Sequence, residues 1–348
     1  MCGLVLLAMI KEASAKRILS YGQIEDRLMS FEYGLNDKSN KPPNLRKKHL
    51  HKGKIVGTAS QKMCLFKLFP IVFYYIIDRL DTKEIYVCLR DIISHIYACP
   101  FRKSWLSYLH SLTIRFQCLM VHLVPNLVTS KVHFITDYAK QIEMNGPAIR
   151  YWCMRFESKH QVFKQLAVKS NNFKNILYTL SKRHQLHRCL LLSSSNYYNS
   201  INEGSSLEEK ELYKLPADIR KLLQENIANF DHMTTIKEYQ RLKFNHVVFI
   251  KGSVFVDNLT HEEEIPSFLH LIFILKINDA WLLIVEQLQT VAFAELFFSY
   301  ELEHTHLLSI KEPNELIRIL PKGLDIYEVN RKSYVNIFSR LTKEKRRV

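Results

Sequence analysis

The stretch that decides the fold runs from His246 to Phe293. It reads HVVFIKGSVFVDNL (His246–Leu259), SFLHLIFILKI (Ser267–Ile277) and AWLLIVEQLQTVAF (Ala280–Phe293). These are short β-branched and aromatic runs, broken by turn residues at Lys251-Gly252, Asp257-Asn258 and Asn278-Asp279. Such runs fit a pleated, half-buried surface, so each is predicted to be a strand. FFSYELE (297–303) and LDIYEVNRKSYVNI (324–337), the latter around an Asn330-Arg331 turn, continue the theme. The expectation is a small β domain over 245–348, of about five to six strands, closed like a barrel.

Upstream of Asn245 the apolar period becomes helical. Residues 1–28 are predicted helical, with Leu4, Leu7, Ala8, Lys11, Ala15, Ile18 and Leu19 on one face. Residues 33–60 are rich in Asn, Lys, Pro and Gly and are predicted to be a loop. Lys62–Ile77, Ile85–Ile96 and Trp105–Leu123 are strongly apolar, with breaks at Asp78–Thr82 and Pro100, and read as a helical bundle. Val132–Ile135 reads as a short strand. After the Gly146-Pro147 turn, helices are expected over Ala148–Val168 and Phe173–Leu192. Residues 193–215 look like a linker, and a helix over Pro216–Phe230 follows, with Pro in its first turn. The predicted class is α+β: a mainly helical N-terminal domain followed by a small C-terminal β-barrel-like domain. Its segments are 1–60 (helix and basic loop), 61–192 (helical domain), 193–244 (linker and helix) and 245–348 (acidic β domain with a basic tail).

Composition excludes several classes. At 348 residues the chain has room for two domains, and 47% hydrophobic against 24% charged residues is a globular balance. Nine glycines argue against a glycine-rich nucleotide fold. The seven cysteines, at 2, 64, 88, 99, 118, 153 and 189, form no Cys-x-x-Cys pair. They support no zinc ribbon and read as reduced, mostly buried thiols, which fits a nuclear or cytoplasmic location. Neither the Leu65–Ile77 run, with Lys67 and Pro70, nor Ile265–Leu288, with Lys276, Asp279 and Glu286, is clean enough to span a bilayer. No membrane partner is expected.

The net charge of +15, from 49 Lys and Arg against 34 acids, points to polyanionic partners. It is unevenly divided. Residues 131–190 carry 11 Lys and Arg against the three acids Asp137, Glu143 and Glu157. Residues 245–303 carry two lysines, Lys251 and Lys276, against nine acids. A second basic run, Arg46, Lys47, Lys48, His49, His51, Lys52 and Lys54, reads as a solvated or a phosphate-contacting loop.

One segment carries a resemblance. It comprises Ser130-Lys-Val-His133-Phe, Asn145-Gly-Pro147, the string Arg150-Tyr-Trp-Cys-Met-Arg-Phe-Glu157-Ser-Lys-His160-Gln-Val-Phe-Lys164, Asn171-Asn-Phe-Lys-Asn175 and Lys182-Arg-His-Gln185. This resembles a region of animal transposon-derived proteins related to the CACTA (En/Spm-type) transposases. Arg27-x-x-x-Phe31-x-Tyr33-Gly34, Ser60-Gln61-x-x-Cys64 and Ile326-Tyr327 are similar to other parts of that family. The likeness extends over roughly residues 23–341 and is strongest at 130–186. It departs from the family at Ser130, where Pro is usual, and at Asp137-Tyr138, where His-Tyr is usual. The resemblance implies relatives with an RNase H-like core whose first two metal-binding acids lie upstream of the matching region. A catalytically incomplete C-terminal portion or repurposed remnant is therefore expected.

The chemistry of that segment gives the candidate residues. Two-metal cleavage of nucleic acid needs several converging carboxylates. Glu157 shares a helix stripe with His160 and Lys164, and by the resemblance it is the candidate terminal acid of such a site, with Asp137 as its companion. Mg²⁺ enters only in that nuclease alternative; otherwise no cofactor and no metal site is expected. The plainer reading of Glu157 is a carboxylate balancing Arg155, Lys159 or Lys164. His160, between Phe156 and Phe163, reads as a partly buried, hydrogen-bonded histidine. The expected function is phosphate contact, most simply with DNA, by Arg150, Arg155, Lys159, Lys164, Lys169, Lys174, Lys182, Arg183 and Arg188. The further alternative is a protein-interaction module that binds no nucleic acid, with self-association through the acidic β domain.

Overall fold

The apolar start of the chain becomes a largely buried helix. In the computed structural model, which describes residues 1–151, 154–171, 174–193, 202–227, 235–260 and 264–342, α1 (Cys2–Ala15) buries Val5 to Ile10 and Ala13. The single helix expected over 1–28 is broken at Arg17, whose φ is +54°. A second helix, α2 (Tyr21–Ser30), starts on a capping box made by Ser20 and Gln23. The expected loop holds one short helix, α3 (Lys47–His51), pinned by buried Leu50.

The predicted bundle is present as α4 (Ala59–Val72), α5 (Lys83–Ile96) and α6 (Leu106–Leu123). Thr58 and Gln61 cap α4, and Pro70 lies in its last turn. Pro70 has no N–H to give to the Phe66 carbonyl, and the buried Tyr86 hydroxyl donates to that carbonyl instead, at 3.0 Å. Glu12 of α1 caps the start of α5, accepting the N–H groups of Asp81 (2.7 Å) and Thr82 (2.9 Å). The strand expected at Val132–Ile135 is instead α7 (Ser130–Phe134) and a 3₁₀ turn, followed by α8 (Tyr138–Asn145). Val132, Ile135, Ala139 and Ile142 are buried at helical spacing. A four-residue apolar window is too short to tell the two periods apart. Beyond lie α9 (Met154–Ser170) and α10 (Ile176–Ser193).

The β part is one antiparallel sheet. Its strands are β1 (Glu203–Glu211), β2 (Thr235–Phe244), β3 (Val247–Ile250), β4 (Val254–Leu259), β5 (Pro266–Ile277), β6 (Ala280–Ala294), β7 (Ser299–Lys311), β8 (Ile326–Val329) and β9 (Lys332–Val335). The order is β1-β2-β5-β6-β7-β9-β8, with β3 paired to β2 and β4 to β5. The helix α11 (Ala217–Asn226) packs Ile219 and Leu223 onto Ile236, Leu275 and Ile284 of the sheet. A last short helix, α12 (Pro313–Leu316), follows β7.

Two expectations are corrected here. The sheet is open, not a closed barrel: β1 ends it on one side and β8 on the other. Closure is unnecessary because the β8–β9 end is covered by helices, and Tyr327, Val329 and Tyr334 belong to the same core as α1, α4 and α5. Strands also begin before the change of character at Asn245. β1 reads EGSSLEEKE and lies inside the expected linker, held by backbone pairing to β2 from Glu203↔Lys243 to Glu211↔Thr235. An outer strand that pairs through its backbone needs no apolar pattern, so its polar sequence hides it.

Helices and sheet meet through buried polar contacts. Asn36 and Asp37 donate their backbone N–H groups to Asp325 at 3.0 Å, and Asn36 Nδ2 donates to Ser253 Oγ at 2.9 Å. Asp37 accepts from the Tyr327 hydroxyl at 2.9 Å and forms an ion pair with Lys67. Gly34 is required by close approach: a Cβ there would lie 2.2 Å from Asp325 Cγ. Phe31 stacks on Tyr327 with ring centroids 5.7 Å apart. Further along the junction, Arg90 is fully buried between the rings of Phe298 and Phe338, each 4.6 Å away, and donates to Asn336 Oδ1 at 2.8 Å. Burial lowers its pKa. Thus the Phe31–Gly34 and Ile326-Tyr327 motifs, picked out at opposite ends of the sequence, build one contact.

Candidate nucleic-acid interface

Beyond Ala148 the strongly basic segment contributes no described side chain to a core. Between Ala148 and Leu215 no described side chain is buried. The positive-φ Gly146 (φ +81°) ends α8, a 3₁₀ turn spans Ala148–Tyr151, and α9 and α10 follow as a helical pair. The two helices touch through Phe163 and His184, whose rings meet edge to face at 5.2 Å. Among the expected phosphate-contacting residues, Arg150, Lys164, Lys169, Lys174, Lys182, Arg183 and Arg188 are exposed. Lys182 Nζ sits 5.8 Å from the centre of the Tyr178 ring, and that ring is itself exposed. Arg155, Lys159 and Glu157 belong to α9, but their side chains lie outside the described residues, as does Trp152.

The expected nuclease companion, Asp137, is exposed at the start of α8 rather than near the end of a strand. His160 is exposed rather than partly buried. The loop that carries the second basic run approaches the start of the first. Arg46, Lys47, Lys48, His51, Lys52 and Lys54 are exposed around α3. A shallow groove of about 400 Å³ is lined by Gly53 and Ile55 from this loop, by Lys62 of α4 and by Ser130 and Lys131 of α7. Two stretches some 80 residues apart in sequence therefore border one surface, with no acid among the groove's lining residues.

Two other arrangements were not anticipated from the sequence. At the junction of helices and sheet lies a cleft of about 780 Å³ whose lining includes Lys83, Asp91, Tyr108, Arg115, Tyr300 and Arg340. Asp91 accepts from the Tyr108 hydroxyl at 2.7 Å and faces His95 Nδ1 at 3.2 Å. Burial alone would raise the Asp91 carboxyl, but hydrogen bonds from His95 and Tyr108 outweigh it and hold the pKa low. The Tyr108 hydroxyl is pushed up to about 12 by burial and by Asp91. His95 is fully buried, walled by Trp105 and 3.4 Å from Arg340 Nη1, so this group ties the end of the described chain to α5. The second arrangement is metal-ligating: His270, Glu286 and His304 come together on three neighbouring strands. They lie 16 and 18 residues apart in sequence, so only strand register reveals them.

Of the cysteines, Cys64 and Cys88 are buried, and burial pushes their thiols up to about 12 and about 11. Cys118 and Cys189 are exposed. Among the described residues, no helix is long and apolar enough to cross a membrane. No family model matches the chain, and no curated protein or solved structure does either.

Proposed function

We propose that the chain is a nucleic-acid-binding protein of transposon descent, catalytically incomplete, whose α9–α10 arm contacts the phosphate backbone of DNA. One observation carries the reading. The six described basic side chains of the arm, Lys164, Lys169, Lys174, Lys182, Arg183 and Arg188, are all exposed, and no described side chain of the arm is buried. Clustered Lys and Arg on one exposed unit are the electrostatic footprint of polyanion binding. Tyr178 adds an exposed ring beside Lys182, and Lys62 and Lys131 border a separate acid-free groove. Contacts of this kind position a protein without specifying sequence. The test is a fluorescence-anisotropy titration of duplex DNA at several salt concentrations. The triple variant Lys182→Ala, Arg183→Ala, Arg188→Ala should bind more weakly, with the slope of log K against log salt falling by roughly 0.9 for each lost phosphate contact. Wild-type affinity and slope in the variant would remove the proposal. In the nuclease alternative, Glu157 would hold Mg²⁺, and Glu157→Gln would abolish any cleavage.

A second reading, a protein-interaction module, has its own support. Leu186 and Leu190 of α10, one turn apart on one face, are 59% and 67% exposed. Large apolar side chains left out on one helix mark a contact surface. A change in oligomeric state when these leucines are replaced by Gln, with DNA affinity unaltered, would favour it.

A further inference from the structure

The β sheet gathers two kinds of metal-ligating group at one point. Glu286 of β6 is only 6% exposed, although it is a carboxylate in the middle of a strand. Its register partner on β5 is His270. On the other side, His304 Nδ1 of β7 lies 3.0 Å from Glu286 Oε2. His270 Nδ1 is buried and makes no hydrogen bond, Glu286 Oε2 being 3.7 Å away. One donor atom from each of the three residues lies within 4.8 Å of the other two. His306 adds a fourth ring, with its Nδ1 3.5 Å from Glu286 Oε1, and its backbone N–H donates to the same oxygen at 3.1 Å.

The backbone is shaped around this point. Glu286 pairs with Leu308 and Leu288 with His304, so residues 305–307 of β7 bulge opposite the single residue Gln287. Within the bulge His306 has φ +59°, a conformation that non-glycine residues seldom adopt. Thr305 Oγ1 holds the bulge by donating to the Gln287 carbonyl at 2.6 Å. Bulges re-aim side chains, and strained backbone gathers where a site requires it.

The geometry points to a binding site for one divalent transition-metal ion, zinc foremost, held by His270, Glu286 and His304 with His306 in reach as a fourth ligand. Two imidazoles and a carboxylate suit zinc and the neighbouring late first-row metals, whereas Mg²⁺ prefers an all-oxygen shell. Zinc–nitrogen bonds of about 2.0–2.1 Å set tetrahedral donors ~3.4 Å apart. The donor separations, all within 4.8 Å, exceed that by at most little more than about an ångström. A cation would also give the buried Glu286 carboxylate a full counter-charge and His270 Nδ1 a partner. The surrounding β segment is acidic, which draws cations towards it.

The experiment uses untagged full-length chain stripped with chelator, titrated with Co²⁺ as a spectroscopic probe and then with Zn²⁺ as competitor. One equivalent of Co²⁺ should give visible ligand-field bands that Zn²⁺ abolishes, and Zn²⁺ should raise the melting temperature. Glu286→Gln and His304→Ala should each weaken binding by at least about tenfold, the loss that even an outer hydrogen-bond partner can cause. His304 is largely exposed, so its variant tests ligation with little risk to folding, which circular dichroism checks. Absence of uptake by the wild type would overturn the proposal. So would undiminished uptake by the His270→Ala, His304→Ala double variant. Loss of uptake in His184→Ala, His187→Ala would place the ion on α10 and overturn it equally. None of these outcomes depends on DNA binding by the arm.

Discussion

The junction between helices and sheet and the α9–α10 arm use similar residues to opposite ends. At the junction charged side chains taken out of water find partners for part of their polar surface, although Arg90 Nε and Nη1 are buried without a hydrogen bond. Arg90 has two aromatic faces and a hydrogen bond to Asn336, and Asp37 has Lys67 and Tyr327. On the arm, Lys164, Lys169, Lys182, Arg183 and Arg188 stay in water. A buried charge must be matched by its own fold. An exposed one is free to be matched by something else.

The sharpest way to break this comparison is to remove a core side chain and compare the cost with an arm truncation of similar chemistry. Phe66 is fully buried against Tyr86, with ring centroids 4.8 Å apart. Phe66→Ala should lose about 3–5 kcal/mol of unfolding free energy, because a cavity adds to the lost transfer term. Urea denaturation followed by circular dichroism measures it. A cost under about 1 kcal/mol would show that the site collapses without penalty and that α4 is not part of a close-packed core.

The next effect tests the polar junction itself. Asn336 Nδ2 donates to the Phe297 and Phe298 carbonyls, at 3.2 and 3.1 Å, and to Ser299 Oγ at 3.0 Å, while its Oδ1 accepts from Arg90. Asn336→Ala removes these bonds; Ser299 Oγ still donates to the Phe297 carbonyl at 3.0 Å and Arg90 Nη2 still reaches the Ile337 carbonyl at 3.4 Å, so the cost, about 1–3 kcal/mol for each group left unpaired, falls on the Phe298 carbonyl and the guanidinium. The same unfolding experiment should therefore show a loss on the order of 2 kcal/mol or more. If Arg90→Met is added and the loss shrinks, the penalty lies in the stranded guanidinium. If it does not, the Phe298 carbonyl carries it.

How much of this was legible in the sequence follows from the same contrast. The helices α5 and α6 were readable from apolar residues at a regular spacing, and α4 from an apolar run that is buried almost all round. The strands β3 to β6 were readable because both faces of that part of the sheet are covered by apolar contacts. β1 was not, since its pairing is carried by backbone groups that composition does not report. The break at Arg17 was hidden because Ile18 and Leu19 continue the apolar pattern after the helix has ended. The candidate metal group was illegible for another reason. His270, Glu286 and His304 meet through strand register plus a bulge, and register depends on every turn between them. The charge asymmetry was read directly from residue counts. What those counts lacked was burial, and burial separates a satisfied lysine from an available one.

The smallest effect sharpens the other side of the comparison. Leu186 of α10 is 59% exposed, and among the described residues of α10 none is buried. Leu186→Ala removes the same kind of apolar surface as a core truncation, yet most of that surface is already in water in the folded chain. The change in unfolding free energy should fall within about 0.5 kcal/mol, the usual range for surface substitutions. Alanine also has slightly the better helix propensity, which offsets part of any lost contact. Measured at increasing protein concentration, this small number becomes informative. If the arm works alone, the value stays constant. If α10 is a contact surface between copies, wild-type stability rises with concentration and the Leu186→Ala difference grows with it, because association stabilises only the folded state.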